Sequence, residues 1–488
     1  MRSLKTLLMV ALALGTVASV QAELQNVELD GSIRIRGNYY DWDDNIFING
    51  GEDQAWVEQR TRLGVKADFT DDVSLYIEFD SYNNWGDDFR SDFITGLDGA
   101  GGADVALYQS YIEINNAWGL PVRTRIGRQE LEFGSEWLLG NNDTAAGFWG
   151  LSFDGVRTTY ATDTFSVDLL SFKLSETVAD FGDGDVNLYG IYGSYIGLED
   201  WQFDLYWLWL MEDDISRVTG APFTVASLAS VGIGAPLAED TNLHTIGLRG
   251  AGTYGAFDLE AEVAFQFGDI ERQNNSFFGI SFGDDDLDYS GWAANLEAGY
   301  TFDMAWTPRV YLGAAFFEGD DNNDDNFFDA LFGNNNNDLA FNRLFSNWEY
   351  SEFIENTELS NALVLRAGIS AMPTEKISLL LALSYFETDD SDAPNGFFGL
   401  FAPDHDDTLG WELGLYGDYQ YSEDLVFRAG YAHFFGEEDG LNGFNNSALN
   451  GFAALVHNDG NNGFFGLFGD DDDDADYNYL FWEAEISF

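Results

Sequence analysis

The chain has no cysteine, only 7 prolines and 4 histidines, and only 21 lysines and arginines among 488 residues. Without cysteine there is no disulfide staple and no lipobox for a lipid anchor, so stability must come from burial and backbone pairing. Scarce basic residues exclude a nucleic-acid footprint: 85 acidic residues give a net charge of −64. No stretch reaches the roughly 18–20 uninterrupted apolar residues of a membrane helix. The histidines, His244, His405, His433 and His457, fall at expected strand ends or in connections, with no Ser/His/acid arrangement and no metal-ligand spacing. The expectation is therefore neither an enzyme nor a metalloprotein.

Aromatics are abundant at 16%, which with so little proline argues against an acidic disordered polymer. High aspartate with little lysine fits saline surroundings, where a carboxylate shell stays hydrated. Arg2 and Lys5, the apolar run from Leu7 to Leu14 and Val20-Gln21-Ala22 predict a signal peptide over 1–22, with the mature chain from Glu23. Removing Arg2 and Lys5 leaves 19 basic residues and moves the net charge from −64 to −66.

Period-two alternation dominates the rest. Leu480, Trp482, Ala484, Ile486 and Phe488 alternate with Phe481, Glu483, Glu485 and Ser487. Such a row places apolar and mainly polar side chains on opposite faces of a strand. Phe257, Leu259, Ala261, Val263, Phe265 and Phe267 alternate with Asp258, Glu260, Glu262 and Gln266, and Trp201 to Trp209 repeats the pattern. Short polar turns are expected at 70–72, 116–120, 162–164, 197–200, 253–256, 303–307, 373–376 and 422–424. Long acidic connections alternate with them, near 43–54, 86–103, 134–151, 175–185, 212–241, 268–289, 318–358, 387–407 and 436–476.

Eight turns and nine connections separate eighteen strands. Short turns on one side and long loops on the other describe an all-β transmembrane barrel, antiparallel and up-and-down, over 23–488, with short turns periplasmic. Closure is required because an open edge leaves unpaired backbone groups in lipid. A soluble β-sandwich also alternates, but would not place so many Trp, Tyr and Phe on the exposed parity near strand ends. The registers of the fourth, sixth and eighth strands are the weakest.

Asn395-Gly-Phe-Phe-Gly-Leu-Phe401 recurs as Asn462-Gly-Phe-Phe-Gly-Leu-Phe468 beside Asp470 to Asp474. These acidic loops are read as solvated tips, with loop-bound calcium as the alternative and no other cofactor expected.

The placement of the basic residues carries the functional reading. Arg34, Arg36, Arg60, Arg62, Lys66, Arg123, Arg125, Arg128, Arg157, Arg249, Arg309, Arg366 and Arg428 fall in strands, most on the polar parity. A lipid-facing arginine at the midplane costs about 2–4 kcal/mol, so these should point into the lumen. Arg128 breaks the parity of Arg123 and Arg125 and needs a bulge or strand end near Gly127 to point inward. Glu78, Asp80, Asp204, Asp258, Glu260 and Glu262 occupy the inner parity of the third, ninth and eleventh strands, so the signs should segregate across the lumen. The R-x-R pairs at 34/36, 60/62 and 123/125 form either a ladder guiding anions or ion pairs bracing the wall.

Glu58-Gln-Arg-Thr-Arg-Leu63, Gly127-Arg-Gln-Glu-Leu-Glu-Phe-Gly134 and Phe153-Asp-Gly-Val-Arg157 resemble conserved blocks of the alginate export porin family. Phe341-Asn-Arg-Leu-Phe345, opening the approach to the fourteenth strand, resembles its later loop motif more faintly. The resemblance implies an 18-stranded outer-membrane barrel whose arginine-lined pore conducts an anionic polysaccharide outward. Carried over by motif, Arg60, Arg62, Arg128 and Arg157 belong to the selective path, while Arg34, Arg36, Lys66, Arg123 and Arg125 join it by parity. The inner carboxylates depart from the pattern and repel a polyuronate, which favours a general or small-anion porin. Expected partners are outer-membrane lipid, an anionic hydrophilic solute or polysaccharide, and the barrel-assembly machinery during insertion. A cation-preferring general porin and a non-conducting barrel that displays its loops, plugged by residues such as 318–358, remain the alternatives.

Overall fold

A computed structural model describes residues 24–42, 54–86, 105–143, 148, 150–176, 185–213, 238–272, 275–277, 280–282, 287–319, 338–353, 360–388, 408–436 and 475–488. The expected signal peptide, the repeated Asn-Gly-Phe-Phe-Gly-Leu-Phe segments and the run Asp470 to Asp474 lie outside these residues.

Eighteen strands make the wall. They are β1 (Asn26–Trp42), β2 (Gln54–Thr70), β3 (Val73–Asn84), β4 (Ala106–Ile114), β5 (Val122–Gln129) and β6 (Phe153–Ala161). There follow β7 (Phe165–Ser175), β8 (Val186–Leu198), β9 (Trp201–Asp213), β10 (Ala238–Tyr254), β11 (Phe257–Arg272) and β12 (Trp292–Thr301). The circuit ends with β13 (Arg309–Phe317), β14 (Ala362–Thr374), β15 (Ile377–Thr388), β16 (Thr408–Gln420), β17 (Leu425–Gly436) and β18 (Ala475–Ser487). Each strand pairs antiparallel with the next, and β18 returns to β1 from Ser32 opposite Ser487 to Trp42 opposite Tyr477. The sheet is closed. All eight short turns fall where the sequence places them, one carrying a single turn of 3-10 helix at Ala117–Gly119.

The two faces are those of a protein in lipid. Leu29, Leu63, Ile112, Ile126, Leu205 and Leu312 are exposed on the outside, whereas Arg34, Glu58, Arg60, Asp204 and Glu483 are buried inside. Alternation is interrupted at β3–β4, where the register shifts between Glu78 and Phe79. Aromatic rings gather on the outer face toward the long-connection end, with His244 5.4 Å from Trp209 and 5.0 Å from Phe267. Interfacial girdles of this kind mark the edges of the apolar band.

Candidate functional site

The register of β1, β2, β3 and β18 builds the centre of the inner wall. Arg34 stands opposite Arg60, and Arg36 opposite Glu58; across the other edges Arg36 faces Glu483 and Arg62 faces Asp80. All four arginines are buried. The Nε groups of Arg34 and Arg36 donate to Glu483 Oε2 at 2.8 and 2.9 Å, and Arg62 Nε donates to Asp80 at 2.9 Å.

A side chain from the β5–β6 connection completes the cluster. Asp143 accepts from Arg62 Nη1 at 2.8 Å, is bonded by Arg60, and lies 3.7 Å from Arg34. The ring of Phe148 lies 4.6 Å from the Arg34 guanidinium and 5.7 Å from those of Arg36 and Arg60. Arg62 sits over Tyr108 at 3.8 Å. Glu130, the first residue of that connection, accepts from Tyr108 at 2.5 Å, and burial pushes its carboxyl up to about 7.

A second group lies nearer the short-turn end. Arg125 and Arg157 are register partners; Arg125 donates to Glu113 at 2.5 Å and Arg157 to Asp168 at 2.7 Å. Arg123 shares their face and forms no ion pair among the described residues. Lys66 is partly exposed, 3.7 Å from Asp68 and 3.9 Å from Glu28, and stands apart from both groups. Arg128 also stands apart. The β5–β6 register runs evenly from Arg125 opposite Arg157 to Arg128 opposite Asp154, so no bulge resets the parity. Arg128 therefore shares the outer face with exposed Ile126, where it forks onto Asp154 at 2.8 and 2.7 Å.

The expected segregation of signs gives way to interleaving. Arg249 reaches Asp204 at 2.8 Å and Glu260 at 2.9 Å, and Arg428 reaches Glu483 at 2.6 Å and Glu485 at 2.5 Å. Desolvating a guanidinium is expensive unless a carboxylate compensates it, so acids on adjacent strands are drawn into register with the arginines.

Two connections fold into the barrel and meet there, as two parts of one filling. Phe345 pairs with Leu139 in a parallel bridge, its N–H donating to the Leu138 carbonyl at 2.9 Å. Trp137, fully buried, donates to the Tyr350 hydroxyl at 2.9 Å, which donates to Asn295 on β12 at 3.1 Å. Gln266 on β11 grips the Asn342 backbone through both amide atoms, at 2.6 and 2.7 Å. Phe341 to Phe345 thus lies inside the barrel wall, with Arg343 buried and bonded to Ser346 and the Trp348 carbonyl. Strand parity has no reach into connections, so Asp143 and Phe148 carry no sequence signal, and Arg343 carries only its place in the Phe341 to Phe345 motif.

A closed barrel of eighteen antiparallel strands, apolar outside and charged inside, defines an outer-membrane porin. The chain belongs to the alginate export family, whose model matches residues 25–437. Among solved structures it is similar to OccK8 (OprE) of Pseudomonas aeruginosa, at 10% identity and TM-score 0.52, over 94% of this chain and 98% of that one. OpdL of the same organism shares 10% identity at TM-score 0.52, over 95% and 99% of the two chains. OccAB1 of Acinetobacter baumannii shares 12% at TM-score 0.51, over 96% and 100%. At such identities the likeness is one of fold. No curated protein matches the chain by sequence.

Proposed function

We propose that this porin passes hydrophilic solutes bearing carboxylates, acidic polysaccharide or smaller organic anions, along the wall formed by Arg34, Arg36, Arg60 and Arg62. The observation that carries this reading is Asp143. Its carboxylate, supplied by a connection and not by the wall, sits among Arg34, Arg60 and Arg62 with Phe148 beside it. A solute carboxylate entering the same cradle meets the same forked donors, which stay charged at any physiological pH. Confined charge clusters are a known basis of pore selectivity. Arg123, without an ion pair among the described residues, adds a further cation on the approach from the short-turn end.

The pairing of each cluster arginine with a carboxylate favours one other reading, a cation-preferring general porin. The reversal potential of the purified protein in planar bilayers under a salt gradient decides between them. Anion preference despite the net charge of −64 is expected. Arg60→Gln with Arg62→Gln should then move the reversal potential toward cations. Cation preference in the wild type, or an unmoved potential in the double variant, overturns the proposal, and absence of any current favours the display barrel.

A further inference from the structure

Residues 348–353 cross the barrel interior as a strap. Tyr350 is held at one end through Trp137 and Asn295 on β12. Phe353 rests at the other against Tyr40 on β1, ring centroids 6.2 Å apart, and Phe434 on β17, at 5.9 Å. Between them the strap is seated on one wall carboxylate: Ser351 Oγ donates to Glu412 Oε2 on β16 at 2.5 Å, and the Glu352 N–H donates to the same oxygen at 3.0 Å.

That seat brings carboxylates together. Glu352 faces Glu412 and Tyr416 on β16, Arg36 and Tyr40 on β1, Tyr479 on β18, and Glu349 on its own segment. Arg366 on β14 faces Glu412, and Glu58 on β2 faces Arg36. Arg36 is already bonded to Glu483, and Arg366 lies over Tyr311 and Tyr350 at 5.9 and 5.6 Å. Like charges crowded in a desolvated site favour a shared proton over two ionised groups. The grip of Gln266 on Asn342 is made of neutral groups and does not respond to pH.

We propose that residues 351–353 are a proton-operated latch across the lumen, seated on Glu412 while the Glu352–Glu412 pair holds a proton and released when both carboxyls ionise. Burial and the neighbouring acids Glu349 and Glu412 push the seated Glu352 well above the ordinary carboxylate range. A raised acid pKa means the seated state holds the proton. Seating is therefore complete below the ordinary carboxylate range and is lost as pH rises above it. Across that window each pH unit shifts the ratio of seated to released strap by up to about tenfold. This goes beyond the selectivity reading, since it concerns how much current flows and not its sign.

The experiment is conductance of the full-length protein in planar bilayers at fixed symmetrical salt between pH 5 and 9. Conductance should rise toward the alkaline end, tracking a seated-to-released ratio that shifts by up to about tenfold per pH unit. Glu352→Gln, which keeps the backbone donor and removes the charge, should hold the acid-side conductance throughout, and Glu412→Gln should do the same. Folding of each variant is read from heat-modifiable gel mobility. Because Glu352 lies outside the strands, its variant keeps the test available if Glu412→Gln misfolds. A flat wild-type profile, no conductance at any pH, or an unchanged profile in Glu352→Gln overturns the latch. An unmoved reversal potential in the arginine variants overturns only the selectivity reading.

Discussion

Arg34 on β1 and Arg60 on β2 are direct register partners whose guanidiniums meet at one carboxylate, that of Asp143, 3.7 Å from Arg34. Like charges opposite one another on neighbouring strands destabilise a sheet. The connection that brings Asp143 inward therefore stabilises the very wall it occupies. Asp143→Asn should cost about 2–3 kcal/mol of stability, the worth of charge-assisted hydrogen bonds. It should also increase anion preference, because the cluster loses a resident negative charge. The two effects are read from the temperature of the gel-mobility shift and from the reversal potential.

Gln266→Ala removes both hydrogen bonds to Asn342 and leaves two backbone groups of the inward connection without those partners. A penalty of about 1–3 kcal/mol per unsatisfied group loosens the filling without touching a charge. Conductance should rise at every pH, with the slope against pH retained. Unchanged conductance would mean the current bypasses this connection.

Gly127 adopts φ +131, and a Cβ there would lie 2.2 Å from the Ser110 carbonyl oxygen on β4. Gly127→Ala thus strains the backbone by about 1–3 kcal/mol and presses the two strands apart. The β4–β5 ladder has only the five pairs from Ser110 opposite Arg128 to Ile114 opposite Thr124, so little compensates. The folded, heat-modifiable form should unfold at a lower temperature.

Phe488 closes the seam with β1 through two backbone bonds, Gly31 N–H to its carbonyl and its own N–H to the Gly31 carbonyl, both 3.0 Å. Deleting Phe488 should lower the amount of folded barrel in outer-membrane fractions, through this loss and through weaker engagement of the assembly machinery. Normal membrane levels would show that the seam closes without it.

Alternation made the wall legible. It located every short turn and gave Arg34, Arg36, Arg60 and Arg62 the inner parity they occupy. It also exposed the conflict at Arg128, which strict pleating resolves outward. What alternation could not carry is anything that arrives from a connection. Asp143 is 83 residues from Arg60, and Trp137 is 213 from Tyr350. Nothing periodic joins positions so far apart. Parity alone therefore predicts a lumen of segregated signs, whereas burial draws carboxylates into register with the arginines.

Glu483 ties this logic to the order in which the chain is made. It resides on β18, yet it is the carboxylate that neutralises Arg34 and Arg36 on β1, separated from it by 449 and 447 residues. Until the eighteenth strand arrives, these two inward cations lack that counterion, and an open sheet that stops short of it keeps a charged free edge unfit for lipid. The ring thus discriminates against its own incomplete versions: completion of the circle and cancellation of its first charges are a single event, a form of proofreading written into the seam.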